Sequence, residues 1–352
     1  MLSVQPKILE SVRSAASAED LYEHLQAAIE LEHATIPPYL TSLFSIKPGM
    51  NTAAHSVIGS VVVQEMLHLT IACNILNAIG GSPVLDKPGF IPVYPGPLPM
   101  GVRSGLVVGL EKLSRTLVYE VFMSIEEPEQ PLDIPVKQLE ARLAALAPEP
   151  SPGFATIGDF YAAIAAKITE LGNGIFTGDP SRQVVDPTWF PPDQLFAVHD
   201  VATATQAIQV IVEQGEGTPT SPEEEGEPAH YYRFAQLVYA RMLVRDPTTA
   251  TGWAYAGAGL GIDPAGVWNL LPNAKAADYP VGSRARYVAD QFNGSYTNLL
   301  RALHTTFNGD PASLKSAMGL MSELHILGHT MAALPIDGTP YYASPTFEYT
   351  PA

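Results

Sequence analysis

From residue 18 to residue 45 the apolar positions Leu21, Leu25, Ala28 with Ile29, Ile36, Leu40 and Leu43 recur at helical spacing. That period predicts an amphipathic helix with Ser17 as its N-cap and Pro48-Gly49 as its stop. Glu32 occupies a slot on the apolar stripe, whereas Glu30 falls with Glu23 on the solvated flank. Pro37-Pro38 predicts a kink or local break one turn after Glu32, because proline removes an amide donor and its ring crowds the preceding turn. A second helix is predicted from Ala53 to Ile79, ended by Gly80-Gly81, and the short connection between the two favours an antiparallel hairpin. Within it Glu65 and His68 lie three apart and share the face of Val61, Ala72, Leu76 and Ile79.

Further helices are predicted over Leu110 to Ile125, over Ile157 to Leu171 (Phe160, Ile164, Ile168), over Val198 to Gln214 (Ile208, Ile211, Val212), and from near Pro228, with His230, Phe234, Leu237 and Arg241 on one face. Two last helices, about Ser283 to Phe307 and Pro311 to Leu334, read as a hairpin turned at Asn308-Gly309. Between these lie proline-rich stretches (Ser82 to Gly105, Pro128 to Pro152), an irregular run from Gly172 to Pro192, an acidic loop around Glu223-Glu224-Glu225 and a Gly/Pro-rich run from Gly252 to Gly282. No repeat of fixed period is present. The expectation is an all-α core over residues 18–245 with an insertion at about 82–197, and a C-terminal irregular segment and helical hairpin over 246–352 packed on it. Long insertions of this kind are where substrate pockets are shaped.

Composition narrows the function classes. Hydrophobic residues make up 46% of the 352, ample for a core, and the net charge of -17 with no basic cluster argues against nucleic acid and anionic lipid as partners. Cys73 is the single cysteine, so an internal disulfide is impossible and a reducing compartment fits. The first residues lack a long apolar stretch of the secretory type, and elsewhere charge interrupts the apolar runs, so the expectation is a cytoplasmic protein without a membrane span.

An ionised Glu in a core is costly without a partner, and a bound metal is one of the few ways to compensate it. Glu65-x-x-His68, with Glu32 from the neighbouring helix, supplies a terminal carboxylate, a bridging carboxylate and an imidazole, half of a carboxylate-bridged two-metal site. The other half is expected from Glu213 and Glu216, three apart if their helix continues through Gly215, with His230 opening the next helix. Glu227, three before His230, is the alternative to Glu216, although Pro228 puts it at the helix entrance. Oxygen and nitrogen donors in this ratio suit iron or manganese. Tyr231, Tyr232 and Arg233 are candidates to orient the ligands or face substrate. His33 points a quarter-turn away from Glu32, His304 reads as packing, and His325 with His329, four apart, find no completing donor in Glu323.

The runs Leu31-Glu32-His33-Ala34-Thr35-Ile36-Pro37-Pro38-Tyr39-Leu40, Gln64-Glu65-Met66-Leu67-His68-Leu69, Asn74 to Gly81, Phe90-Ile91-Pro92-Val93-Tyr94-Pro95-Gly96, Val212 to Gly217 and His230-Tyr231-Tyr232-Arg233-Phe234 resemble the ferritin-like family named for iminophenyl-pyruvate dimer synthase, related to a violacein-biosynthesis protein. The resemblance covers about residues 18–245. It implies a ferritin-like four-helix bundle holding metal through Glu32, Glu65, His68, Glu213 and His230, with Glu216 as sixth ligand. The functional expectation is a dimetal oxidoreductase, with iron favoured over manganese, activating dioxygen to oxidise or couple a small aromatic or amino-acid-derived substrate of secondary metabolism, with Tyr231 or Arg233 positioning it. The alternatives are a metal-storage protein without turnover and a metal-free structural partner; a homo-oligomer is compatible with each.

Overall fold

The structure is a computed structural model that describes residues 6–101, 105–136, 156–224 and 226–351. After a short helix α1 (Pro6–Ser14), the long helices α2 (Glu19–Phe44) and α3 (Thr52–Ala78) pack along each other as a hairpin. Helix α4 runs through Arg115–Leu117, a π turn at Val118–Phe122 and Met123–Ile125. Helices α5 (Ile157–Leu171) and α6 (Val201–Glu216) pair, α6 lies on α3, and α7 (His230–Tyr239) fits between α3, α4 and α6. The chain closes with the hairpin of α8 (Arg284–Phe307) and α9 (Leu314–Ala332), α9 resting on α2. The helices fall close to where the apolar period puts them, and the Pro128 to Pro152 linker lies partly outside the described residues.

Three local predictions are corrected. Ser17 does not cap α2: Asp20 turns back, and its carboxylate accepts the amides of Ala16 at 2.8 Å and Ser17 at 3.0 Å, leaving Ala18 at the cap without a side-chain bond. Pro37-Pro38 does not break α2. Pro38 leaves the carbonyl of Ala34 without its helical donor, and the hydroxyl of Tyr94, from the first insertion, donates to that carbonyl at 2.7 Å. The insertion thus repairs the defect that the proline creates. Arg241 is not on α7, which Ala240 ends in a left-handed conformation (φ 55°); it begins an antiparallel ribbon of β3 (Arg241–Arg245) and β4 (Trp253–Gly259), and a shorter ribbon joins β1 (Glu223–Glu224) to β2 (Glu227–Pro228).

Helix α3 is the centre of the molecule. It is long and apolar enough to span a membrane by composition, contrary to the sequence expectation, yet 61% of that window is buried against other elements. Its C-terminal half is tied by side-chain amides: Asn74 accepts from the amide of Val184 at 2.9 Å and donates to its carbonyl at 2.7 Å, and Asn77 donates to the carbonyl of Phe307 at 2.9 Å. The Val184 pair fixes an insertion that lacks periodic structure of its own onto the helix that carries Glu65 and His68, and the Phe307 bond ties the end of α8 to it. Gly80, at φ 92°, then lets the chain turn sharply away.

Candidate metal centre

Five ionisable side chains meet in the interior between α2, α3, α4 and α7. Glu32 comes from the middle of α2, Glu65 and His68 from one face of α3, Glu126 from the residue that ends α4, and His230 from the first position of α7. All five are buried. They form two triads, Glu32 with Glu65 and His68, and Glu65 with Glu126 and His230, in each of which the donor atoms lie within 4.8 Å of one another. Glu65 belongs to both. Its Oε1 is 4.0 Å from Nδ1 of His68 and 2.9 Å from Nδ1 of His230, while Oε2 of Glu32 is 3.7 Å from the first nitrogen and Oε2 of Glu126 is 3.4 Å from the second.

The hydrogen bonds around the triads decide what can occupy them. Nε2 of His230 meets Oε1 of Gln64 at 3.0 Å, and Nε2 of His68 meets Oε1 of Gln214 at 3.1 Å. An amide oxygen only accepts, so each imidazole carries a proton on Nε2 and leaves Nδ1 facing the carboxylates. Nδ1 of His230 is buried and makes no hydrogen bond, despite the oxygen 2.9 Å away. A neutral imidazole there sets its lone pair against those of a carboxylate, and a cation held jointly by nitrogen and oxygens removes that repulsion. The two imidazoles lie 5.4 Å apart with planes 24° from parallel, one for each triad. The residues present therefore fit two metal ions that share Glu65.

Outer partners fix the carboxylates. The buried hydroxyl of Tyr161 on α5 donates to Oε1 of Glu32 at 2.5 Å, that of Tyr39 on α2 donates to Oε1 of Glu126, and Thr35 donates to Oε2 of Glu65 at 2.9 Å. Burial first, then the neighbouring carboxylates, hold both tyrosines well above the ordinary phenol value, so they remain donors. Glu65 is pushed well above the ordinary carboxyl value by burial and by Glu126 and Glu32, with His68 and Thr35 opposing. Outer-sphere bonds of this kind set the orientation and basicity of metal ligands.

Of the residues expected from the sequence, Glu32, Glu65, His68 and His230 converge and Glu213 does not. Helix α6 does continue through Gly215, but the carboxylate of Glu213 accepts from Nε2 of Gln209 at 2.6 Å, one turn back on the same helix, and lies outside both triads. The same helix gives Gln214 instead, as the partner of His68. Glu216 lies beside the triads without joining them: its Oε1 accepts the amide of Gly158 at 2.7 Å, and burial raises it to about 7. Glu227 is exposed on β2. Arg233 donates through Nε to the carbonyl of Pro228 and through a guanidinium nitrogen to Oγ of Ser60 at 3.1 Å, and Tyr231 packs edge-on against Tyr232. Those bonds seat α7 on its neighbours, and neither side chain lines the cavity at the triads.

Sequence reasoning missed Glu126. It stands four after Phe122 and eight after Val118, both buried, so it was in phase with an apolar stripe. It is the C-cap of α4, one residue beyond the predicted helix, which ends at Ile125 as the observed one does.

A cavity of about 30 Å³ adjoins the carboxylates, lined by Glu32, Glu65, His68, Glu126 and Glu216 on its polar side and by residues such as Leu31, Ile125 and Ile211 on its apolar side. That space suits a water or a diatomic molecule.

The sequence profile described as ferritin-like matches residues 25–239, more than half of the chain. The chain belongs to the ferritin-like family. The ferritin-like chain is 24% identical over 378 aligned residues to dichlorochromopyrrolate synthase of Lentzea aerocolonigenes, with 94% of this chain and 35% of that protein covered, so it spans 35% of the length of this curated relative. Among solved structures it is similar to a ferritin-like protein from Caulobacter vibrioides determined at 1.95 Å, with a TM-score of 0.57, 24% identity, and 94% and 97% of the two chains covered. In ferritin-like two-metal sites two helices each give a Glu and two each give a Glu-x-x-His. Here α2 gives Glu32, α4 gives Glu126 and α3 gives Glu65-x-x-His68, while α7 gives His230 alone, because Glu227, the residue three before it, is on the far side of Pro228 in β2. The candidate ligand set is thus five side chains.

Proposed function

We propose that this ferritin-like chain is an oxidoreductase of secondary metabolism, in which two ions, iron in preference to manganese, are held by Glu32, Glu65, His68, Glu126 and His230 and serve to oxidise or couple a small aromatic or amino-acid-derived substrate at the expense of dioxygen. The observation that carries it is Glu65, shared by two triads whose histidines both turn Nδ1 toward the carboxylates. Hard carboxylate oxygens with two imidazoles suit divalent iron or manganese better than soft metals. When bound, such ions supply dioxygen binding and electron transfer. Glu65 balances both charges, Tyr161 and Tyr39 keep Glu32 and Glu126 turned inward, and the small apolar-walled cavity keeps bulk water away. The similarity to a synthase over nearly the whole chain supports turnover over storage.

An aromatic substrate is larger than 30 Å³, so it reaches the ions only if the cavity widens. Its wall at Ile157, Gly158 and Glu216 joins the start of α5 to the last turn of α6 through the Glu216 carboxylate, which accepts the amide of Gly158 and is also bonded by the side chain of Thr156. A Cβ at Gly158 would meet Oε2 of Glu216 at 2.6 Å, so glycine is what permits that closure.

The test is to load the metal-free protein with ferrous iron under anaerobic conditions and follow dioxygen consumption. The proposal expects consumption that scales with bound iron and disappears in a Glu65→Ala/His68→Ala variant. Consumption no faster than that of free ferrous iron, or equal in the variant, overturns it.

A further inference from the structure

Far from the buried triads, at the end of the α2–α3 hairpin, the structure brings a histidine of α3 toward two histidines of α9 that the sequence holds far from it. His325 and His329 lie four apart on α9, with rings 4.6 Å from centre to centre and 76° from parallel. Both stand over Phe44, the last residue of α2, at 5.7 and 5.2 Å. Gly328 makes that seat possible, since a Cβ there would fall 2.5 Å from the Phe44 ring. The third histidine, His55, sits in the first turn of α3 and lines with His329 a cavity of about 410 Å³ closed by Met50, Lys47 and Trp268.

We propose that His55, His325 and His329 form a second metal site, for a divalent cation of the zinc, nickel or copper class. Two histidines at i and i+4 share one helix face and can chelate a single ion. A donor set of imidazoles alone suits these borderline ions and not calcium or magnesium. None of the three side chains has a hydrogen-bond or ion-pair partner among the described residues, so their nitrogens are available. Burial and the mutual proximity of the three rings lower His325 and bring His329 to about 4, which keeps both neutral at physiological pH, the form that binds metal and not anions.

Lys47, the one cationic side chain lining the cavity, is engaged elsewhere. Its ammonium donates to the carbonyl of Ala265 at 2.8 Å and lies 4.9 Å from the centre of the Trp268 ring. Among the described residues only the two interior triads have all their donor atoms within 4.8 Å of one another, so the three histidines must rotate to close on an ion. His325 is exposed and His55 and His329 are half-exposed, so that rotation is open to them. An ion held there would pin α9 to the hairpin that carries Glu32, Glu65 and His68.

The experiment is calorimetric titration of tag-free protein with Ni²⁺, in the wild type, in Glu65→Ala/His68→Ala, in His325→Ala/His329→Ala and in His55→Ala. The proposal expects one Ni²⁺ bound by Glu65→Ala/His68→Ala with the affinity of the corresponding wild-type site, beside any Ni²⁺ that the interior triads of the wild type take, and that site's affinity lowered by about tenfold or more in the α9 double variant and by a similar order in His55→Ala. Binding unchanged in His325→Ala/His329→Ala, or lost in Glu65→Ala/His68→Ala, overturns the site, and binding unchanged in His55→Ala overturns the three-histidine assignment. Far-UV circular dichroism separates loss of the site from loss of fold, and the single His325→Gln variant, at an exposed position, repeats the test where the double variant does not fold.

Discussion

Glu65 sets the energetics of the interior. Three carboxylates in one water-poor space repel one another, and an uncompensated buried charge costs several kcal/mol. Without metal the cluster is relieved by protonation, and Glu65 is the group driven that way. With metal it can ionise and serve both triads. The tyrosines that orient its neighbours should then matter for affinity: Tyr161→Phe and Tyr39→Phe are each expected to lower iron affinity by about tenfold or more while leaving far-UV circular dichroism unchanged, measured by competition with a chelator. Glu216 gives a pH signature of its own. Its carboxyl is raised from 4.5 to about 7 by burial, against the bonds from Gly158 and Thr156 that favour the ionised form. A carboxyl raised in the folded state stabilises the fold fully below 4.5, and that contribution is lost as pH rises through about 7. In urea unfolding of metal-free protein, the wild type should therefore lose stability relative to Glu216→Gln over that window, by at most about 1.4 kcal/mol per pH unit; parallel stability curves for the two proteins would show that this carboxyl is not raised. At this scale the sequence was legible where a charged residue interrupts an apolar stripe, as at Glu32, Glu65 and His68. It misled at Glu213, whose spacing to Glu216 looked like a ligand pair although its side chain folds back on Gln209.

Helix positions were legible from periodicity because burial of one face dominates where a helix forms. The ends and defects were not, because they depend on distant partners. Asp20 and not Ser17 closes the start of α2, and the double proline survives because Tyr94, more than fifty residues later, feeds the carbonyl of Ala34. A double-mutant cycle tests that repair. Tyr94→Phe should destabilise the protein by about 1–3 kcal/mol, the cost of a buried acceptor left unpaired, and by less in a Pro38→Ala background, where the alanine amide can serve the same carbonyl; equal costs in the two backgrounds would contradict the pairing. The π turn in α4 escaped the sequence reading because its phase differs from 3.6, yet it lies within the helix that Glu126 caps. The β3–β4 ribbon was missed for another reason: its glycine-rich second strand has no clean alternation, and Trp253 is held by the Arg245 guanidinium 3.8 Å from its ring.

On the scale of the molecule, the interior triads join elements separated by some two hundred residues, so their charge balance is a property of the whole fold. Glu32, Glu65 and His68 were legible because the α2–α3 hairpin is local, and His230 because it opens a helix beside an acidic run. Glu126 needed the packing of α4 against α7, which no spacing encodes. Metal bound only by the folded state stabilises it, so removal of tightly bound iron by a chelator should lower the thermal midpoint by several degrees, and restoring ferrous iron should recover it; an unchanged midpoint would mean that the charges are balanced without metal. The central claim is tested most directly by counting the iron bound to purified, reconstituted protein and to its Glu126→Ala and Glu213→Ala variants. The account predicts about two ions per chain in the wild type and in Glu213→Ala and a marked loss in Glu126→Ala; full loading of Glu126→Ala with loss in Glu213→Ala, or no iron in any of the three, would contradict it.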